Sequence, residues 1–172
     1  MAIKNLQLSS IEADHAIGPI LIVSDAERLV ALDFDSPDGR LRRILQPRYG
    51  RDIAFEETVC PIHIASAIRA YLAGNLAAFD DIVVDPGGTF FQQQVWTALR
   101  AIPAGTTLSY GALAARLERP NAHRAVGSAN ALNPISIVIP CHRLVGSNGA
   151  LTGYGGGMER KRWLIDHERR SR

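Results

Sequence analysis

Apolar positions along the chain follow two different rhythms. Between Gly18 and Phe34 they form two runs, GPILIV and RLVALDF, parted by Ser24-Asp25-Ala26-Glu27. Apolar runs rich in β-branched residues and broken by a polar turn predict a β-hairpin. From Asp38 to Leu45 the apolar residues Leu41, Ile44 and Leu45 recur at helical spacing, and Pro47 is the expected stop. Ile62 to Leu72 predicts a second amphipathic helix, closed by Gly74-Asn75. Ile82 to Val84 is a candidate short strand. Together these segments predict a small α/β unit, an antiparallel sheet with helices.

Asp85-Pro86-Gly87-Gly88 is the strongest linker signal, and it divides residues 1–86 from residues 87–172. Beyond it the pattern turns mainly helical. Thr89 and Gln92 have capping-box spacing for a helix through Ile102, whose apolar face is Phe91, Val95, Ala98, Leu99 and Ile102. Pro103-Ala104-Gly105 ends it. Ser109 can cap a helix from Tyr110 to Leu117, and a second follows from Ala122 to about Leu132 after the turn Glu118-Arg119-Pro120-Asn121. Two short helices across a tight turn read as a helix-turn-helix, so residues 87–172 predict a mainly α, winged-helix-like unit. Ser136 to Ile139 predicts a buried strand that stops at Pro140. The glycine-rich stretch Gly149 to Gly157 predicts a loop. Met158 to His167 predicts a last helix, with Trp163 and Leu164 inward and Glu168 closing it.

Charge sharpens this division. Residues 1–86 hold 8 Lys+Arg against 13 Asp+Glu, and residues 87–172 hold 11 against 4. A basic second half suits a polyanionic partner. No apolar run reaches membrane-spanning length, and the N-terminus shows no signal-peptide pattern. The two cysteines, Cys60 and Cys141, lie far apart, which fits neither a disulfide framework nor a zinc set and points to a reducing cytosol. His15, Cys60 and His63 are too scattered to hold a metal, so none is expected. The first half shows no catalytic constellation, and Arg160-Lys161-Arg162 reads as a solvated helix face.

The chemistry concentrates after Pro140, in Cys141-His142-Arg143. A thiol flanked by imidazole and guanidinium is expected to have a lowered pKa. Neighbours in extended chain point to opposite faces, so linking Cys141 to His142 needs a turn at Pro140 or a bridging water. The second helix of the pair is built of small residues (Ala122, Ala125, Gly127, Ser128, Ala129) around Arg124. Such a surface suits close approach, either to another helix or to a nucleic acid. A Cys-His pair by itself also fits a thiol hydrolase.

IPCHRLVG, followed by NGALTGYGGGMERKRWLIDHE, closely resembles the active-site segment of the O6-alkylguanine-DNA alkyltransferases, also called methylated-DNA–protein-cysteine methyltransferases. The resemblance runs from near Pro86 to Glu168. It implies direct repair of O6-alkylguanine in duplex DNA, with O4-alkylthymine as a further candidate substrate. The alkyl group would pass irreversibly to Cys141 after base flipping, once per molecule and without a cofactor. By resemblance Glu168 orients His142, which reaches Cys141 through a water. Tyr110 lies at the flipped nucleotide and donates to guanine N3, and Asn133 is a hinge between the second helix and the cysteine loop. HRAVG matches the segment that enters the minor groove, so Arg124 inherits the intercalating role. Ala122, Ala125, Gly127 and Ala129 would form the surrounding DNA-facing surface, and His123 stands where a small residue is common. Pro140, Leu144, Tyr154 and Gly155 would shape the alkyl-guanine pocket. Relatives often carry Ser or Ala at the position of Gly155, which is expected to widen the pocket for larger alkyl groups. A cytoplasmic monomer acting on double-stranded DNA, away from membranes, is the implied setting. The other reading in this class is a module that binds alkylated DNA without transfer, although proteins of that kind lack the cysteine.

Overall fold

The structure, a computed structural model, describes residues 6–14 and 16–172. His15 lies outside the described residues. A four-stranded sheet has the order β3-β2-β1-β4, with β1 Leu6–Ile11, β2 Ile20–Asp25, β3 Arg28–Phe34 and β4 Phe55–Glu57. The β2–β3 hairpin is as the pattern predicts, with Ile20 opposite Phe34. The sheet is mixed rather than antiparallel, because β4 runs parallel to β1. LQLSSI and FEE carry too little apolar alternation to announce these two strands. Val84 makes only an isolated bridge to Leu29, so the candidate strand at Ile82 to Val84 shrinks to one residue pair.

Helix α1 (Arg40–Tyr49) runs through Pro47, where the sequence predicts a stop. Pro47 sits near the C-terminal end, and Gly50, with φ 87°, returns its N–H to the Gln46 carbonyl. Helix α2 (Ile62–Leu72) buries Ile64, Ile68 and Tyr71. Gly74 adopts φ 104°, and the N–H of Asn75 reaches back to the Ala70 carbonyl, closing the helix as its sequence indicates.

The linker signal Asp85-Pro86-Gly87-Gly88 is an ordered strap. Asp85 pairs with Arg28 and Arg48, and Gly88, at φ 83°, lies under Trp96 so closely that a Cβ would sit 2.6 Å from the indole. Helix α3 (Phe90–Arg100) opens on the expected capping box: Thr89 Oγ1 accepts from the Gln92 N–H and the Gln92 side chain accepts from the Thr89 N–H. Helices α4 (Tyr110–Arg116) and α5 (His123–Ala131) pack on each other, and α5 packs on α3. Trp96 Nε1 donates to the Ala129 carbonyl at 2.9 Å and fixes that second contact. Two short parallel strands, β5 (Leu108–Ser109) and β6 (Leu144–Val145), tie the start of α4 to the chain just after the cysteine turn. Helix α6 (Met158–Arg170) is longer than predicted and carries Glu168 inside it.

One apolar cluster joins sheet residues such as Ile20 and Leu32 to Val95, Leu113, Val126 and Leu164 in the later helices. A buried ion pair joins Arg40 of α1 to Asp33 of β3. Removing one partner of such a pair leaves an uncompensated buried charge. Arg40→Leu is expected to lower unfolding free energy by about 3–5 kcal/mol, read as a lower urea midpoint at constant slope.

Candidate active site

The segment leading to Cys141 is not the strand its β-branched run predicts. Asn133, fully buried at the end of α5, accepts from the Ile135 N–H at 2.9 Å and donates to the Ile139 carbonyl at 2.8 Å. One amide side chain thereby replaces a sheet ladder as partner for this backbone. Only Ile135 bridges to the sheet, at Leu32, and Ser136 adds an N–H bond to the Leu32 carbonyl. Ile137 takes φ 70°, a conformation costly for a β-branched residue. The run is apolar because the loop is buried on every side. Pro140 then enters a 3₁₀ turn, Cys141–Arg143, which places Cys141 and His142 on adjacent corners. The turn at Pro140 is thus one of the two routes that the sequence allows.

Glu168 gathers this turn. Its Oε1 lies 2.8 Å from His142 Nε2, and both residues are buried. Arg143 clamps the same carboxylate through Nη2 on Oε1 (2.8 Å) and Nε on Oε2 (2.9 Å). The Gly105 N–H and the Tyr71 hydroxyl complete the set at 3.0 and 2.8 Å. The hydrogen bonds from His142 and Arg143, with the Arg143 charge, outweigh burial and hold the Glu168 carboxyl well below the usual carboxylate range. An ionised carboxylate only accepts, so His142 Nε2 carries its proton and Nδ1 presents a lone pair. Burial also lowers the pKa of His142, against the opposing pull of Glu168, so the ring is neutral.

Cys141 is 2 % exposed, and its thiol departs from expectation. Burial pushes its pKa up, opposed by the Asn133 side chain, Arg40 and Lys161. The neighbours that were to lower it are engaged elsewhere, since His142 and Arg143 both turn to Glu168. The resting group is a neutral thiol. Three buried polar atoms near this turn find no hydrogen-bond partner among the described residues: His142 Nδ1, the Tyr154 hydroxyl and Asn130 Oδ1. Asn130 belongs to the site, because its Nδ2 lies 3.4 Å from the Cys141 carbonyl. Buried polar groups are nearly always partnered, so these three atoms are available to a water or a polar ligand.

Lys161 lies inside the protein, not on a solvated face. Its ammonium donates to the carbonyls of Leu144 and Thr152 at 2.6 and 2.8 Å, clipping β6 to the glycine-rich loop. Arg160 is likewise engaged, with Nε on the Ile17 carbonyl at 2.7 Å and its guanidinium over Phe34. Only Arg162 of the three is exposed. The space left by the missing side chain of Gly155 is not open, as a wider pocket would need. A Cβ there would run into the Arg40 guanidinium, so the missing side chain makes room for Arg40. Pro140 and Leu144 are buried beside Cys141 in sequence, and Tyr154 packs edge-on against Phe34. A cavity of about 660 Å³ between the strap and α3 reaches the cysteine loop only at Ile139, away from the reactive turn.

On the helix-turn-helix, Arg124 and Ala125 are exposed at the start of α5, with Ala122 and Gly127 partly so. Tyr110 packs along Gly127, where a Cβ would sit 3.9 Å from the ring. Ala129 is buried, and its carbonyl is taken by Trp96, so it belongs to the core and not to a DNA-facing surface.

Comparison with known proteins meets this geometry. Residues 90–170 match the family model of the 6-O-methylguanine DNA methyltransferase DNA-binding domain. A methylated-DNA–protein-cysteine methyltransferase of Salmonella typhimurium is 48% identical over 155 residues, covering 88% of this chain and 90% of that protein. The chain belongs to the methylated-DNA–protein-cysteine methyltransferases. A relative with the same name in Haemophilus influenzae is 40% identical over 153 residues, covering 89% of this chain and 82% of that one. The crystal structure of Mycobacterium tuberculosis OGT in complex with DNA superposes with TM-score 0.79 at 38% identity, over 96% of this chain and 94% of that one.

Within this methyltransferase, sequence reasoning misses Tyr71, Arg40, Asn130, Lys161 and the clamp made by Arg143. Lys161 had a readable signal: Lys161, Leu164, Ile165 and Glu168 share one helical face. The acid sensitivity of the fold follows from the two shifted groups. His142 and Glu168 both have folded pKa values below their unfolded ones, so each contributes stability that is whole above its unfolded value. Stability is expected to fall first as pH drops below 6.5, when unfolded His142 protonates, and again below 4.5 as Glu168 follows. Urea midpoints measured against pH check this, and His142→Phe is expected to remove the upper part of the decline.

Proposed function

We propose that this protein repairs O6-alkylguanine in duplex DNA by moving the alkyl group to Cys141, once per molecule. The observation that carries the reading is the buried Cys141 turn, where an ionised Glu168 holds neutral His142 with Nδ1 unpartnered, next to a helix-turn-helix with Arg124 exposed. The family to which the chain belongs, and the DNA-bound structure it resembles, support the same reading.

His142 Nδ1 takes the thiol proton, directly or through a water, and Glu168 stabilises the imidazolium that forms. The Cys141 sulfur then attacks the alkyl carbon in line. The S–C bond forms as the C–O6 bond breaks, the Tyr110 hydroxyl hydrogen-bonds N3 of the leaving guanine anion, and the proton held by His142 returns through solvent to neutralise that anion at N1. The product is a thioether on Cys141 and an unmodified guanine. Starting from a neutral thiol suits this sequence, because an unpaired buried thiolate would be costly until the imidazolium appears beside it.

Extracting the base costs a few kcal/mol of stacking and pairing, and the Arg124 guanidinium entering the gap recovers part of it. Ala122, Ala125 and Gly127 let α5 approach the minor groove. Asn133 holds the cysteine loop, and Pro140, Leu144 and Tyr154 bound the alkyl-guanine pocket, with the free Tyr154 hydroxyl and Asn130 Oδ1 available to the purine. We assign residues 87–172 to DNA binding and transfer and residues 1–86 to support, as a monomer. A reducing cytoplasm suits a protein whose reactive group is a free thiol.

Intact-protein mass after incubation with an O6-methylguanine duplex tests the proposal. One methyl increment on the wild type, mapped to Cys141, is expected, and none on Cys141→Ala. Retention of the lesion duplex without a mass change would instead identify a binding module. Arg124→Ala is expected to slow transfer from duplex by about tenfold, the equivalent of about 1.4 kcal/mol.

A further inference from the structure

Tyr71 belongs to α2, in the half whose sequence shows no catalytic constellation, yet its hydroxyl donates to Glu168 Oε1 at 2.8 Å. That same oxygen receives His142 Nε2 and Arg143 Nη2. The phenol is buried, with Phe79 tilted against it at 4.9 Å and His167 set edge-on at 5.3 Å. His167 Nε2 in turn meets the Tyr71 carbonyl at 2.8 Å, so both ends of the residue are fixed. A ring held this firmly needs no hydroxyl for packing. Among the described residues the hydroxyl has one hydrogen-bond partner, and it is the oxygen that faces the imidazole.

We propose that Tyr71 is a positioning residue of the transfer reaction, one that shares Glu168 Oε1 with His142 and so limits the carboxylate's hold on the imidazole. This rests on the alkyl-transfer reading above. Donors compete for one acceptor oxygen. Each proton placed on Oε1 reduces the negative charge offered to His142 Nε2–H, and with it the preference for imidazolium. A relay that must collect a proton at Nδ1 needs a neutral ring at rest, so the acceptor beneath it cannot be too strong. The other charged groups acting on His142 are Arg143, from its own turn, and Lys161 of α6, which both disfavour the imidazolium. Cys141 is under the influence of Arg40, Asp33 and Lys161. Tyr71 is a neutral donor to Oε1, and it arrives from a different part of the chain.

Tyr71→Phe keeps the ring and deletes the donor. The sign follows directly: Glu168 binds His142 more strongly, imidazolium gains, and the acidic limb of the transfer-rate profile moves up, by about one pH unit for one lost charge-assisted hydrogen bond. Phe79→Leu is the control, since it loosens packing on the Tyr71 ring without touching Glu168, and it is expected to lower stability and leave the limb in place. Titration of His142 by ¹⁵N NMR, without DNA, is expected to show the same upward shift in Tyr71→Phe. An unmoved limb and titration in Tyr71→Phe, or an equal shift in Phe79→Leu, would overturn the proposal and leave Tyr71 a packing residue. Absence of transfer by wild type would fail the alkyl-transfer reading, while the His142 titration still decides the role of Tyr71.

Discussion

A carboxylate taken out of water is stable only when its charge is met on all sides. Glu168 meets this condition with donors from the Tyr71 hydroxyl, the Gly105 N–H, His142 and both Arg143 nitrogens. These come from α2, from the loop after α3 and from the cysteine turn, so satisfying one ion pulls three remote segments onto α6. The reactive turn acquires its shape as a by-product. His142 must place Nε2 on Glu168, which fixes the ring and leaves Nδ1 as the free face.

The same logic extends to the opposite side of Cys141. Arg40 pairs with Asp33, donates to the Ala131 carbonyl at the end of α5 and lies over Gly155. Lys161 ties Leu144 to Thr152. Each of these buried cations donates to main-chain carbonyls, Ala131 for Arg40 and Leu144 with Thr152 for Lys161, and each thereby ties a loop in place. A glycine-rich loop and a strained turn containing Ile137 would be poor supports for chemistry by themselves. Buried charges spanning both halves of the chain make them rigid.

Much of this was legible beforehand. The β2–β3 hairpin, the capping box at Thr89 and the helix pair follow from local spacing, and PCHR with its GALTGY tail carried the resemblance to the family. What stayed hidden had non-local causes. The β-branched run Ser136 to Ile139 looks like a strand, because a sequence does not reveal that the Asn133 amide will take over its backbone. The thiol of Cys141 looked acidic because its sequence neighbours are basic, yet both neighbours turn toward an acid 26 and 25 residues away. Tyr71 reads as one more apolar-face residue of α2, since a hydroxyl directed at a partner 97 residues later leaves no local trace. Gly155 reads as open space until Arg40, more than 100 residues earlier, is found to fill it.

The central claim is that an ionised Glu168 holds His142 as a neutral ring, protonated at Nε2 with Nδ1 free to take the proton of Cys141. The ¹⁵N chemical shifts of the two His142 nitrogens in the resting protein at pH 7.5 test it most directly. A pyrrole-type shift at Nε2 with a pyridine-type shift at Nδ1 is the expected result. Two pyrrole-type shifts, marking imidazolium, or the reversed tautomer, would contradict the account.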